Sequence, residues 1–81
     1  MARIVVRYFA SARAASGAAE EEFDAETLGD VLAEVAARHA GPMTEILEAS
    51  SWLLNGSRVS DRSLPLPESA ELEILPPFAG G

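Results

Sequence analysis

The sequence predicts an α+β domain, a mixed sheet of four to five strands with one main helix packed on one face. Three observations carry that prediction. Ile4, Val6 and Tyr8 share one parity in a run rich in β-branched and aromatic residues near the start of the chain, and Leu72 and Ile74 alternate with glutamates near its end. That is the two-residue period of a half-buried strand. Between them, Leu28, Val31, Leu32, Val35 and Ala36 repeat with the spacing of one helical face. Asn55-Gly56 follows the apolar run Trp52-Leu53-Leu54 and signals a hairpin turn.

Arg3 to Phe9 is rich in β-branched and aromatic residues and reads as the first strand. Its parity sends Ile4, Val6 and Tyr8 inward and leaves Val5 and Phe9 outward with Arg3 and Arg7. The small residues from Ala10 onward suit a short helical turn that breaks at Gly17. Glu20 to Asp24 is expected as a half-exposed second strand, so the first two strands form a hairpin with a long connection. Thr27 opens the main helix, and Asp30 three residues on completes a capping-box pattern. Gly41-Pro42 stops it. His39, in its last turn, favours the negative end of the helix dipole, with no second His or Cys beside it. Met43 to Ala49 is expected as a further short helical turn, with Ile46 and Leu47 inward. Trp52-Leu53-Leu54 is the third strand and Arg58-Val59 its return. Leu64-Pro65-Leu66-Pro67 reads as an irregular crossing, because proline has no amide proton for a ladder. Glu71 to Leu75 is the last strand and Pro76-Pro77 ends it. Its buried alternation places it inside the sheet, beside the first strand. The expected division is a domain over residues 1–75 and a flexible tail over 76–81.

The 81 residues make one domain. A hydrophobic content of 48% with clear periodicity indicates a globular chain. Cysteine is absent, which excludes disulfides, thiolate zinc sites and cysteine nucleophiles. Net charge is −7, lysine is absent, and the six cations are scattered arginines. That distribution is no footprint for nucleic acid and suits a basic protein partner. No run is long and apolar enough to span a membrane. Met1-Ala2-Arg3 leads directly into a strand instead of a secretory leader, so the expected location is the cytoplasm.

The sequence closes on Pro76-Pro77-Phe78-Ala79-Gly80-Gly81. At about 7% glycine per position, two terminal glycines arise by chance roughly once in 200 chains, which makes the dipeptide informative. Gly80-Gly81 offers an unhindered carboxylate on a slim, pliable tip that can thread a narrow channel. The six residues reach at most about 20 Å. Pro76-Pro77 holds the base extended and lowers the entropy lost on docking. Phe78 is a candidate anchor in a partner. No general base, metal-ligand cluster or phosphate loop stands near this tip in the sequence, so the chain is read as a carrier and not itself a catalyst.

Two segments resemble a known family. Tyr8-Phe9-Ala10-Ser11-Ala12-Arg13 followed by Gly17 is similar to the aromatic-Phe-Ala-x-x-Arg-x-x-x-Gly pattern of the MoaD/ThiS sulfur carriers, and Pro76 to Gly81 is similar to their Pro-Pro-x-x-Gly-Gly tail. Asn55 also fits. Ala14 stands where many members have an acidic residue, and Phe78 where valine is common. The resemblance implies the ubiquitin-like β-grasp fold, whose terminal strands pair in parallel. It further implies that Gly81 is adenylated by a MoeB/E1-like activating enzyme using ATP and magnesium, then converted to a thiocarboxylate with sulfur from a sulfurtransferase. The chain itself would bind no cofactor. The best-matching role is the sulfur-carrier subunit of molybdopterin synthase, donating to cyclic pyranopterin monophosphate to form the dithiolene. A MoaE-like large subunit would form a heterotetramer with it and receive Pro76, Pro77, Phe78, Ala79 and Gly80. The alternatives are carriers for thiamine, cysteine or tRNA thiolation, a ubiquitin-like protein modifier, and an interaction domain with an inert tail.

Overall fold

The computed structural model describes residues 2–77. Its strands are β1 (Ala2–Tyr8), β2 (Glu20–Ala25), β3 (Ser51–Leu54), β4 (Ser57–Val59) and β5 (Ser69–Leu75), and its helices are α1 (Ala10–Ser16), α2 (Leu28–His39) and α3 (Met43–Ala49). The strands form one five-stranded sheet in the order β2-β1-β5-β3-β4. β1 and β5 run parallel at its centre, with Val6 opposite Leu72 and Tyr8 opposite Ile74. The other pairs are antiparallel. With the helices on one face, this is the ubiquitin-like β-grasp arrangement that the motifs implied.

Parity decides which face is covered. Ile4, Val6 and Tyr8 of β1, Phe23 and Ala25 of β2, Trp52 and Leu54 of β3, and Leu72 and Ile74 of β5 are all buried. They meet Leu28, Val31, Leu32 and Val35 of α2 in one continuous core. The main helix begins as its sequence required: Thr27 Oγ1 accepts from Asp30 N at 3.2 Å. Two more of its first amides find carbonyls on the irregular crossing, Leu28 N to Leu64 O at 3.0 Å and Gly29 N to Arg62 O at 2.8 Å. Those groups have no partner inside a helix, so the crossing acts as its cap.

Two expectations need correction. The short turns before Gly17 and after Pro42 are complete helices of seven residues each. In α3 the inward pair is Met43 and Leu47, while Ile46 is only half-buried. Residues four apart stack on one helical face, and Ile46 falls on the flank of that stripe. Gly17 closes α1 in the left-handed region, φ 74°. Asn55 (φ 49°) and Gly56 (φ 87°) are both left-handed, as the tight turn of a hairpin demands.

Candidate functional site

The tail leaves from the middle of the sheet. β5 lies between β1 and β3, and its buried Leu72 and Ile74 fix the point at which Pro76 emerges. Beside that point is an apolar groove of about 250 Å³. One wall is Pro76 and Pro77; facing them are Ile46 and Ala49 of α3, with Ser11 of α1 nearby. Pro76 is half-buried and Pro77 exposed. Pro76 and Pro77 follow directly on the end of β5, as the sequence indicated for the end of that strand. Phe78, Ala79, Gly80 and Gly81 lie outside the described residues, and so does the expectation of a flexible tail over them.

The strand feeding the tail is held by a side chain. Asn55 N donates to Glu71 O at 2.8 Å, and Glu71 N donates to Asn55 Oδ1 at 2.9 Å. The β3–β5 ladder ends at Leu54 opposite Leu72. Asn55 extends it by one residue, its carboxamide standing in for a peptide. The resemblance had marked Asn55 without a reason, and this contact supplies one.

On the open face of the sheet, Val5 and Phe9 point outward and are half-buried, as their parity indicated, and Leu53 of β3 is half-buried there too. Leu75 joins them beside the tail. Val5 is bracketed by Glu22 and Glu71, and Leu53 by Arg58 and Glu73. Arg7 lies 3.7 Å from Glu71 and 5.8 Å from the Phe9 ring centre. The result is an apolar strip with charged borders leading to Pro76. The motif of α1 positions this end of the molecule: Phe9 O accepts from Ala12 N and Arg13 N, Ala12 is fully buried, and Gly17 N donates to Arg13 O.

His39 has a partner after all. Its Nε2 lies 2.6 Å from Glu21 Oε1, and Tyr8 OH donates to the same oxygen at 2.7 Å. The Tyr8 and His39 rings meet edge to face at 5.9 Å. Burial pushes the Glu21 carboxyl up, but the hydrogen bonds from His39 and Tyr8 and the charges of His39 and Arg38 outweigh it, so the net shift is downward. Burial, with the bond to Glu21, drives the Tyr8 phenol far above its ordinary value. This cluster ties β1, β2 and α2 together with a nearly closed surface, which makes it architectural. The available signal was parity: Phe23 and Ala25 inside require Glu21 inside, and an inward carboxylate requires donors.

Among the described residues, no group of three or more His, Cys, Asp or Glu side chains could hold a metal ion. None of their helices is long and apolar enough to cross a membrane. A further groove of about 530 Å³ lies between β2 and α2, away from the tail. At the base of the tail the described residues supply a rigid sheet, two prolines and an apolar strip.

The fold is similar to that of small archaeal modifier protein 1 from Methanosarcina acetivorans, at 28% identity over all of this chain and 98% of that one, with a TM-score of 0.85. It is also similar to a putative molybdopterin converting factor subunit 1 from Pyrococcus furiosus, at 24% identity over 96% and 100% of the two chains, TM-score 0.84. A third likeness is to a chain in the complex of subunits 1 and 2 of the molybdopterin-converting factor from Helicobacter pylori, at 22% identity over 98% and 99%, TM-score 0.72. No curated protein sequence matches the chain. Residues 6–81 match the sequence pattern of the ThiS family. A match over nearly the whole length, on a β-grasp fold, means that the chain belongs to the ThiS family of ubiquitin-like sulfur carriers.

Proposed function

We propose that this chain carries sulfur on the carboxylate of Gly81 as the small subunit of a molybdopterin synthase. The observation that carries the reading is the exit of Pro76-Pro77 from the central strand, beside the half-buried Phe9, Leu53 and Leu75. A carboxylate is a poor electrophile until an oxygen leaves as part of a better leaving group. A MoeB/E1-like enzyme, with ATP and magnesium, attaches AMP to Gly81 and releases pyrophosphate. Sulfur delivered at the sulfide level by a sulfurtransferase attacks the acyl carbon, AMP leaves, and Gly81 remains as a thiocarboxylate. Phe78 anchors the tail in a MoaE-like large subunit, Ala79 and Gly80 pass its channel, and the sulfur goes to cyclic pyranopterin monophosphate. The structural likeness to molybdopterin converting factor subunits supports this route.

Incubation with the activating enzyme, ATP, magnesium and a sulfur donor is expected to raise the mass by about 16 Da, one oxygen exchanged for one sulfur at an activated acyl group. Adding the large subunit and the pterin should return the mass to its starting value. Failure of the mass to rise with any cognate activating enzyme refutes the carrier reading; a gain without transfer to the pterin refutes the molybdopterin assignment alone. The likeness to a small archaeal modifier protein favours a second reading, attachment of Gly81 to lysines of other proteins. Without lysine the chain cannot extend itself through that side chain. Tagged chain recovered from cells in high-mass, lysine-linked adducts would establish this second reading.

A further inference from the structure

Among the described residues β2 borders the sheet, and β1 uses one of its two backbone edges. Tyr8 N donates to Ala19 O at 2.9 Å, which sets the alternation along the pair. Ala19, Glu21, Phe23 and Ala25 turn their backbone groups toward β1; Glu20, Glu22 and Asp24 turn theirs outward. Past Asp24 the edge is closed, because Leu66 N donates to Glu26 O at 2.9 Å and Thr27 bridges to Pro65. The open length is therefore Glu20 to Asp24. α2 overhangs it and forms the 530 Å³ groove, with Ala25, Ala33 and Ala37 as floor and carboxylates of Asp24, Glu26, Asp30 and Glu34 along the rim.

An open edge invites another strand, and the charges here select which one. A second copy of this chain would set Glu20, Glu22 and Asp24 against their own counterparts, where like charges repel. Six carboxylates border the edge and groove, against two guanidinium groups, Arg3 and Arg38. Arg3 sits loosely, 3.6 Å from Glu22 and 3.9 Å from Asp24 and 69% exposed, so an incoming cation can take its place. Arg38 lies over Phe23 of β2, its guanidinium 4.2 Å from the ring centre, and is already paired with Glu21 at 3.9 Å.

We propose that the free edge of β2 takes an extended basic segment of a partner protein as an added strand. Such a strand lies about 4.8 Å from β2 and exchanges backbone hydrogen bonds with Glu20, Glu22 and Asp24. Its side chains alternate. One set meets the carboxylates on the open face of the sheet. The other enters the groove, with small apolar groups on the alanines and cationic tips at Glu26, Asp30 and Glu34. This surface is independent of the tail, because the groove lies where β1 begins (Ala25 opposite Ala2), whereas Pro76 leaves beyond Tyr8.

The test is a titration of the full, isotope-labelled chain with an octapeptide of alternating lysine and valine, followed by amide NMR. Shifts are expected at Glu20, Glu22, Asp24, Ala33 and Ala37, with slowed amide exchange at Glu20, Glu22 and Asp24. Methylating the peptide nitrogens that face β2 should weaken binding about tenfold or more, as the loss of two or three backbone bonds implies. Methylating the opposite set should not. Glu20→Lys with Glu22→Lys, both exposed and on the face that the lysines meet, should weaken binding about tenfold. Trp52 fluorescence verifies that this variant is folded. Three results would each overturn the proposal: no binding, shifts centred elsewhere, or equal weakening by both methylation patterns.

Discussion

Replacing Asn55 separates two contributions that the structure places in one residue. Asn55 holds φ at 49°, and its carboxamide accepts from Glu71 N at 2.9 Å. Asn55→Ala loses both. A left-handed backbone costs a Cβ-bearing residue about 1 kcal/mol. The lost hydrogen bond costs about 1 kcal/mol more. Asn55→Gly relieves the first cost and keeps the second, so it should destabilise by about half as much. Trp52 is the single tryptophan, buried with its Nε1 donating to Leu47 O at 3.0 Å, and it reports unfolding without an added probe. With a urea dependence of about 1 kcal/mol per molar for a small domain, the midpoint should fall by about 2 M for alanine and about 1 M for glycine. Equal midpoints for alanine and glycine would refute the backbone argument. A glycine variant as stable as the native chain would refute the claim that the carboxamide completes the ladder.

Other outcomes follow from the same contacts. The Glu21 carboxyl titrates lower in the folded chain than in the unfolded one, so its contribution is complete above the ordinary value of 4.5 and is lost as pH falls through the folded value. Glu21→Gln should remove that part of the acid dependence, seen as a smaller change in urea midpoint between neutral pH and about pH 3. A Cβ on Gly29 would stand 3.0 Å from Arg62 O and 3.2 Å from Arg62 Cβ. Arg62 is held by Glu48 at 2.6 Å and by the Trp52 ring at 4.9 Å, so it does not yield easily. Gly29→Ala should therefore lower the melting temperature, although alanine is the better helix former by about 1 kcal/mol. Deleting Gly81 should abolish the mass gain with the activating enzyme and leave the melting temperature unchanged, since the core ends at Ile74. A fall in melting temperature in that variant would refute the separation of tail from domain.

Much of the fold was legible because its central strands are buried on one face only. Ile4, Val6 and Tyr8, like Leu72 and Ile74, carry a period of two that no helix shares, and Leu28 to Val35 carries the helical period. The crossing Leu64-Pro65-Leu66-Pro67 was legible as irregular, through its prolines. That its carbonyls cap α2 was not, because Arg62 O and Leu64 O meet amides more than thirty residues earlier with no pattern to announce it. The bond between Glu21 and His39 failed for the same reason: parity puts Glu21 inside, but a partner 18 residues away is fixed only by how α2 crosses the sheet. At the tail, Pro76 and Pro77 were readable from composition. The groove beside them needed α1 and α3 to be brought to the same place, which local sequence does not encode.

The central position of β5 has a consequence for how the molecule is made. Synthesis delivers two hairpins first, β1 with β2 and β3 with β4, and the strand that joins them comes last. A chain that stops short of Leu72 holds both hairpins without the residues that seal the core between them, and a partly folded chain of that kind exposes apolar surface and unpaired strand edges. The sheet closes only once the segment leading to Pro76 is off the ribosome. A molecule whose sheet is closed therefore already has the approach to Pro76 in place, because the strand that seals the core is the one that leads to it.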